Sequence, residues 1–361
     1  MTKVEHHLIS RPESTALKGL LMILIVTGHL RGIANDFQMY LYCFHVQCFF
    51  ILPFLYPAKP LTQNNILNLG LKLLWPYLLL YAFQIILSIY VFHDSYFIKS
   101  QELMPGINNI VLGLWSVITG GINLIDKYCG TQFLWFLPCF FSMIVIRMYY
   151  NEYIKGKFQK VVLCVIGIIC YIVYSTFAYN NSFIPEEFIV ISQSVSPFSV
   201  LQGLGYFVLG MSVVYLIKRI KYRKEYIYWG IVLILTVIYI LWSDSQIIFR
   251  LLRFVFPVFF FLAVYYSRAV FCRIKLLHAI GARSLAIYLI HPFLCILVGL
   301  LLPKDILSNP IVLCMEFVVV LFLSYILAVV IERIPTIRKL LFPRGEEIGL
   351  IIKKNTKTLT D

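Results

Sequence analysis

Three histidines stand in stretches of the chain that are otherwise apolar. His29 lies in LLMILIVTGHL, His45 in LYCFHVQCFF and His291 in LAIYLIHPF. Ionisable side chains are costly at membrane depth, by about 2.5–3.5 kcal/mol for Arg, Lys or Asp on insertion scales, and they mark a function or an aqueous cavity. Imidazole can take a proton from an alcohol near neutral pH and return it later, or carry an acyl group itself. The plain alternative is that each histidine only bonds a neighbouring helix.

Helical geometry places two of these histidines at comparable depth. At about 1.5 Å of rise per residue, His29 lies about 16 Å beyond Lys18, and His45 lies about 12 Å from Phe37, where its apolar stretch begins. We therefore expect the two imidazoles to meet across adjacent antiparallel helices. Lys18 itself stands at the inner end of the first stretch, where a lysine also simply reaches for the interface.

Further polar residues accompany the histidines at helical spacing. Tyr288 stands three residues before His291, so the two share a helix face. Arg250 and Arg253 also stand three apart, at the outer end of a predicted span. They either line an entrance for a polar acceptor or anchor the helix to lipid head groups.

The elements that carry these residues are predicted to be membrane-spanning helices. Of 361 residues, 60% are hydrophobic and 13% charged, and the mean hydropathy is +0.85. A span needs about 20 mostly apolar residues. Such windows predict an all-α, polytopic bundle with about ten spans, near 15–34, 37–56, 72–93, 132–150, 158–179, 197–217, 226–243, 248–267, 283–302 and 310–332.

The charge pattern predicts the orientation of the bundle. The formal charge of +14 would suggest nucleic acid in a soluble protein, but the Lys and Arg residues concentrate in alternate loops, as for cytoplasmic loops of membrane proteins. The loop 180–196 carries two Glu and no Lys or Arg, whereas 218–225 is strongly basic. The stretch 106–125 is either an eleventh span or a re-entrant segment. Because an eleventh crossing would reverse every later loop, we predict ten spans with both termini cytoplasmic, and no nucleic-acid partner.

The organisation follows from these windows. We predict one integral-membrane domain over residues 1–361, with a cytoplasmic N-terminal segment 1–14 and a cytoplasmic tail 333–361, in a multi-pass protein of the cell membrane in contact with membrane lipid. No Cys/His spacing typical of a metal site occurs, so no metal is expected. Any chemistry is expected in or at the membrane.

Several of these segments resemble the acyltransferase 3 family of membrane O-acyltransferases, which modify sugars of surface glycans. That family has a basic residue, ten residues and then His in its first span, as in KGLLMILIVTGH, and a second-span segment like FHVQCFF. LLWPY, LWFLPCFF, SLAIYLIHPF and ERIPTIRKLLF are further similarities in family order. Lys18 in place of the usual Arg resembles the branch of fucose 4-O-acetylases. Pro53-Phe54 is a departure, where members often carry Ser-Gly.

The resemblance implies a chemistry and roles for the residues. It implies an acyl-CoA donor, most simply acetyl-CoA, and a hydroxyl acceptor on a glycan or a lipid-linked sugar. Lys18 and Lys72 would attract the phosphates of the donor. His29 would act as general base or acyl carrier, and His45 would orient it or polarise the thioester. The acceptor candidates are His291, Tyr288, Arg250 and Arg253.

Two other classes of function remain open at the level of the sequence. A transporter or flippase of a glycan or its lipid carrier also keeps polar residues and broken helices at mid-membrane. A structural or sensory membrane subunit would explain the apolar spans, but it gives no reason for three intramembrane histidines.

Overall fold

The computed structural model describes residues 8–90, 114–120, 134–177, 197–220, 224–242 and 245–343. Within these ranges the chain is helical and contains no strand. The helices are α1 (Arg11–Gly28), α2 (Asn35–Tyr42), α3 (His45–Ile51), α4 (Gln63–Tyr90), α5 (Phe136–Tyr153), α6 (Lys157–Phe177), α7 (Val200–Arg219), α8 (Glu225–Trp242), α9 (Gln246–Tyr266), α10 (Arg268–Phe271), α11 (Lys275–Ala282), α12 (Ser284–Leu301), α13 (Lys304–Leu307), α14 (Pro310–Arg333) and α15 (Pro335–Leu341).

All ten apolar windows predicted from the sequence overlap helices of the structure. By length and composition, five stretches of the described chain are apolar enough to cross a membrane: Asn35–Leu55, Val200–Arg219, Glu225–Trp242, Ser284–Leu301 and Pro310–Arg333. The all-helical fold is therefore confirmed for the described residues, and five of its stretches are candidate membrane spans. The count of ten crossings, the single domain and the cytoplasmic side of both termini stay predictions. Of 106–125, only 114–120 belongs to the described residues, and it is helical over 114–119.

The second predicted span is not one continuous helix. Cys43 keeps helical dihedral angles, but Phe44 does not, so α2 ends at Tyr42 and α3 begins at His45. In contrast, α4 continues through Pro76 and α12 through Pro292. Pro138 lies in the first turn of α5, a position that tolerates the missing N–H.

The chain divides into two compact units, and the first contains Met1–Pro57 and Val208–Arg333. Its helix α1 begins with a capping box, in which Ser10 and Glu13 satisfy each other's backbone N–H groups. Helices α1 and α11 approach closely, because a Cβ on Gly19 would collide with the backbone of Leu277 and one on Gly281 with that of Thr15. Small residues that allow close backbone contact are a common way of packing helices in membranes.

Aromatic side chains join the break between α2 and α3 to α9 in the same unit. The ring of Phe44 lies 4.7 Å from that of Phe256 and 4.3 Å from that of Phe260, between centroids. Tyr40 hydrogen-bonds Thr236 of α8, with 2.9 Å between the two hydroxyl oxygens. These contacts hold Phe44 away from helical geometry, at φ −145° and ψ −29°, and so fix where α3 begins.

The second unit contains Ala58–Phe207 and Ile334–Asp361. Helix α4 packs on α5 and contacts α15, where Nε1 of Trp75 donates to the carbonyl of Leu340 at 2.6 Å. The hydroxyl of Tyr77 donates to the carbonyl of Val117 at 2.7 Å. None of the three histidines lies in this unit.

Candidate active site

His29 stands at the C-terminal end of α1. Its ring Nδ1 lies 2.7 Å from the carbonyl oxygen of Ile25, one turn earlier. Its side chain is half-buried. The end of α1 therefore presents an imidazole whose Nδ1 is bonded to its own helix.

His45 is the first residue of α3, directly after the helix break. Its side chain is fully buried, and Nδ1 is hydrogen-bonded to the carbonyl oxygen of Leu41 in α2. A Cβ placed on Gly28 of α1 would lie 3.6 Å from Nε2 of His45. The break thus brings His45 against the end of α1 that carries His29, which is the approach expected from the sequence.

His291 completes the group from the middle of α12. Its side chain is fully buried, and Nδ1 lies 3.0 Å from the carbonyl oxygen of Ile287. Its ring centroid is 5.1 Å from that of His29, with an interplanar angle of 73°. Tyr288, also buried, has its ring centroid 5.8 Å from that of His291. Three helical elements therefore place their imidazoles in one cluster.

The same hydrogen-bond pattern fixes the tautomer of all three rings. Each Nδ1 faces a backbone carbonyl four residues earlier, and a carbonyl only accepts, so Nδ1 must carry the proton. In a neutral ring this leaves Nε2 with a lone pair, which is the nitrogen of a general base. Nε2 of His45 and Nε2 of His291 are buried and have no hydrogen-bond partner within the described part of the chain.

A buried cation lies close to this cluster. Arg253 of α9 is 3% exposed, and its charge acts on both His45 and Cys43. Its guanidinium carbon lies 5.7 Å from the ring centroid of Phe249. Arg253 was predicted to contact substrate, and its burial argues against a simple head-group anchor. The side chain of Arg250 lies outside the described residues.

The two predicted donor-binding lysines lie on different helices, α1 and α4. Lys18 is half-buried on α1, eleven residues before His29 and so about 16 Å away along the helix axis. Lys72 lies on α4, in the second unit, with an exposed side chain. Lys18 therefore belongs to the same unit as the three histidines, and Lys72 does not.

Sequence reasoning missed two polar residues of α2. The amide of Gln38 and the hydroxyl of Tyr42 both donate to the carbonyl of Gly28, at 2.7 Å and 3.0 Å. The ring of Tyr42 lies 5.2 Å from that of His45 and 6.1 Å from that of His29, between centroids. Their spacing of four residues places both on one face of α2, but neither residue type is unusual at a membrane interface.

A third missed residue is Glu316 of α14. It is 3% exposed and accepts hydrogen bonds from the backbone just after His29. The cost rule that singled out the histidines applies to a carboxylate in an apolar span as well. Glu316 could therefore have been identified as a candidate from the sequence.

The described residues contain no group of three His, Cys, Asp or Glu side chains able to hold a metal ion. Through Nε2, the histidine cluster can remove a proton from a bound hydroxyl and return it to a leaving group. Its other acceptors can bind further hydroxyls.

Comparison with known proteins assigns the family. The family model for an acyltransferase domain matches residues 12–333, which include the whole histidine cluster. No curated protein and no solved structure gives a significant match. The family match does not distinguish the fucose 4-O-acetylase branch, and it lends no support to a transporter. The chain belongs to the acyltransferase 3 family, and its class of activity is that of a membrane acyltransferase.

Proposed function

We propose that this protein transfers an acetyl group from acetyl-CoA to a hydroxyl of a sugar, on a cell-surface glycan or its lipid-linked precursor, in the cell membrane. The family supports acyl transfer. The choice of donor and acceptor rests on the resemblance of the sequence motifs and on the chemistry of the cluster.

The proposal of a sugar hydroxyl as acceptor rests on two imidazole nitrogens that have no hydrogen-bond partner among the described residues. Nε2 of His45 and Nε2 of His291 are both buried acceptors without a partner among the described residues. A buried polar atom without a partner costs about 1–3 kcal/mol, so these atoms favour a ligand that supplies donors. Adjacent hydroxyls of a sugar supply such donors, whereas a purely apolar ligand does not.

His29 is the proposed general base of the reaction. Its Nε2 takes the proton from the acceptor hydroxyl while the oxygen attacks the thioester carbonyl carbon. The tetrahedral intermediate then releases the CoA sulfur, and the imidazolium of His29 returns the proton to that sulfur. An ester and CoA thiol are formed, and no other reactant is required.

The proposed roles of the neighbouring residues follow from their hydrogen-bonding capacity and their charge. In its present tautomer, neutral His45 accepts at Nε2 and so suits the binding of a second hydroxyl better than polarisation of the thioester. His291 and Tyr288 are proposed to bind the acceptor in the same way. Arg253, a buried cation within electrostatic range of His45, is proposed to contact the acceptor or the oxyanion.

The donor is proposed to extend along α1. Coenzyme A carries its phosphates at one end and the thioester at the other, so a site that is long in one direction suits it. Lys18 is about 16 Å from His29 along the axis of α1, and its charge can attract the phosphates. Lys72 stays a proposed contact of the donor phosphates and Arg250 of the acceptor, as the sequence suggested for each.

An assay with purified full-length protein tests the reaction. The protein is incubated with acetyl-CoA labelled in the acetyl group and with a panel of free and lipid-linked sugars, and the products are analysed by mass spectrometry. We expect one acetyl mass added to a sugar and one free CoA thiol released for each transfer. Absence of donor consumption with every acceptor would contradict the proposal and favour a transporter.

A further inference from the structure

The turn after His29 is tied to a buried carboxylate far away in the sequence. Residues 29–34 connect α1 to α2. The N–H of Arg31 donates to Oε1 of Glu316 at 2.8 Å, and the N–H of Gly32 donates to Oε2 at 3.3 Å. Both carboxylate oxygens are therefore used by two successive N–H groups that lie beyond the end of α1 and would otherwise need another partner.

The same turn is fixed from two other directions. The carbonyl of Gly28 accepts from Gln38 and Tyr42. A Cβ placed on Gly32 would collide with the backbone of Leu307. Residue 32 therefore has room only for a glycine. Glu316 binds two N–H groups of the turn, and α2 binds the carbonyl just before it.

We propose that Glu316 is a positioning residue, which holds this turn so that Nε2 of His29 faces the bound hydroxyl. This inference rests on the proposed acyl transfer at His29. A carboxylate in an apolar span is expensive, and an apolar residue there would take the hydrogen-bond acceptor away from two part-buried N–H groups. Hydrogen bonds to an ionised acceptor are roughly twice as strong as neutral ones, and they hold the turn in one geometry.

Three substitutions of Glu316 distinguish the effect of side-chain length on the turn from the effect of the negative charge. Glu316→Gln keeps the length and one accepting oxygen, Glu316→Asp keeps the charge but is one methylene shorter, and Glu316→Ala removes both. A displacement of about 1 Å at a reacting group can cost about 100-fold in rate. We expect kcat to fall about 10- to 100-fold in Glu316→Ala and Glu316→Asp, with the donor KM unchanged. The fall should be smaller in Glu316→Gln, which keeps the reach of the side chain and one of the two accepting oxygens.

Ser324→Ala is the matched control, because Ser324 is fully buried on the same helix. It should leave kcat unchanged. If Glu316→Ala does not reach the membrane, Glu316→Asp and Glu316→Gln provide the test. An Asp variant with the wild-type kcat would overturn the positioning role, as would a Gln variant that is as impaired as the Asp variant.

A second measurement does not depend on the substrate. The rate at which diethyl pyrocarbonate modifies His29 is followed by peptide mass spectrometry in full-length protein. We expect at least a threefold change in Glu316→Asp and none in Ser324→Ala, and an unchanged rate in Glu316→Asp would count against the inference. If the wild type transfers no acyl group while this rate changes, the proposed function fails and the positioning of His29 by Glu316 stands.

Discussion

At the scale of the residue, the proton on Nδ1 decides which nitrogen of each histidine can act. Bonds from Nδ1 to Ile25, Leu41 and Ile287 leave Nε2 of all three neutral rings as the acceptor. The cost of an ionisable group in a membrane identified the three histidines from the sequence. It did not identify Gln38 or Tyr42, because their roles depend on the Gly28 carbonyl, which only the fold brings near them.

Replacement of His291 should affect the acceptor more than the donor. We expect His291→Ala to raise the acceptor KM about 10-fold, the equivalent of about 1.4 kcal/mol, because one hydrogen bond to a hydroxyl is lost. The donor KM should stay constant. Steady-state kinetics with each substrate varied in turn checks this.

Cys295→Ala is the control for that change. Cys295 is also buried in α12, one turn after His291, so it reports the effect of losing volume in the same helix. Equal effects of the two substitutions on the acceptor KM would remove His291 from the binding site.

At the scale of the element, apolar windows located the helices but not their interruptions. Windows of about 20 apolar residues are a property of composition, and helices of the structure overlap all of them. The interruption between α2 and α3, at Cys43 and Phe44, contains no proline or glycine from which it could be predicted. It depends on contacts of Phe44 with Phe256 and Phe260, which local sequence does not contain, whereas Pro76 and Pro292 lie inside continuous helices.

The contact between α1 and α11 predicts a large effect of side-chain volume. Gly281→Val should destabilise the protein by about 1–3 kcal/mol, because the added carbons meet the backbone of Thr15. Gly230→Ala on α8 is the control, since no atom lies within 4 Å of a Cβ placed there. Unfolding in detergent measures both, and equal stability of the two variants would contradict the close packing.

The start of α1 predicts a dependence of stability on pH. Burial alone would raise the pKa of the Glu13 carboxyl, but hydrogen bonds from Ser10 and the charge of Arg268 outweigh it, so this pKa lies below its ordinary value. Glu13 also forms an ion pair with Arg268, with 3.2 Å between Oε1 and Nε. A lowered pKa in the folded state stabilises the protein above the unfolded pKa of about 4.3.

That stabilisation is lost as the pH falls through the folded pKa of Glu13. We therefore expect the difference in Tm between the wild type and Glu13→Gln to be constant from pH 7 to about 5 and to shrink below about pH 4.3. Thermal unfolding in detergent across this range measures the difference. A gap in Tm that persists unchanged to pH 3 would show that the charge of Glu13 does not matter.

At the scale of the whole molecule, the three histidines and Glu316 belong to one compact unit. Met1–Pro57 and Val208–Arg333 supply His29, His45, His291 and Glu316, and the acyltransferase match extends from residue 12 to residue 333. The family was predictable because its motifs are spread along the chain. The clustering of residues from α1, α3, α12 and α14 was only partly predictable, because pairing of distant helices depends on packing rather than on spacing.

The central claim is that Nε2 of His29 removes the proton of the acceptor, and its most direct test is the rate of acetyl transfer by purified His29→Ala. General-base catalysis contributes about 10²- to 10⁴-fold, so we predict a loss in kcat of that size with normal membrane insertion. His278→Ala, which replaces a half-buried histidine bonded to the Cys272 carbonyl, should keep the wild-type rate. Transfer by His29→Ala at the rate of His278→Ala would contradict the account.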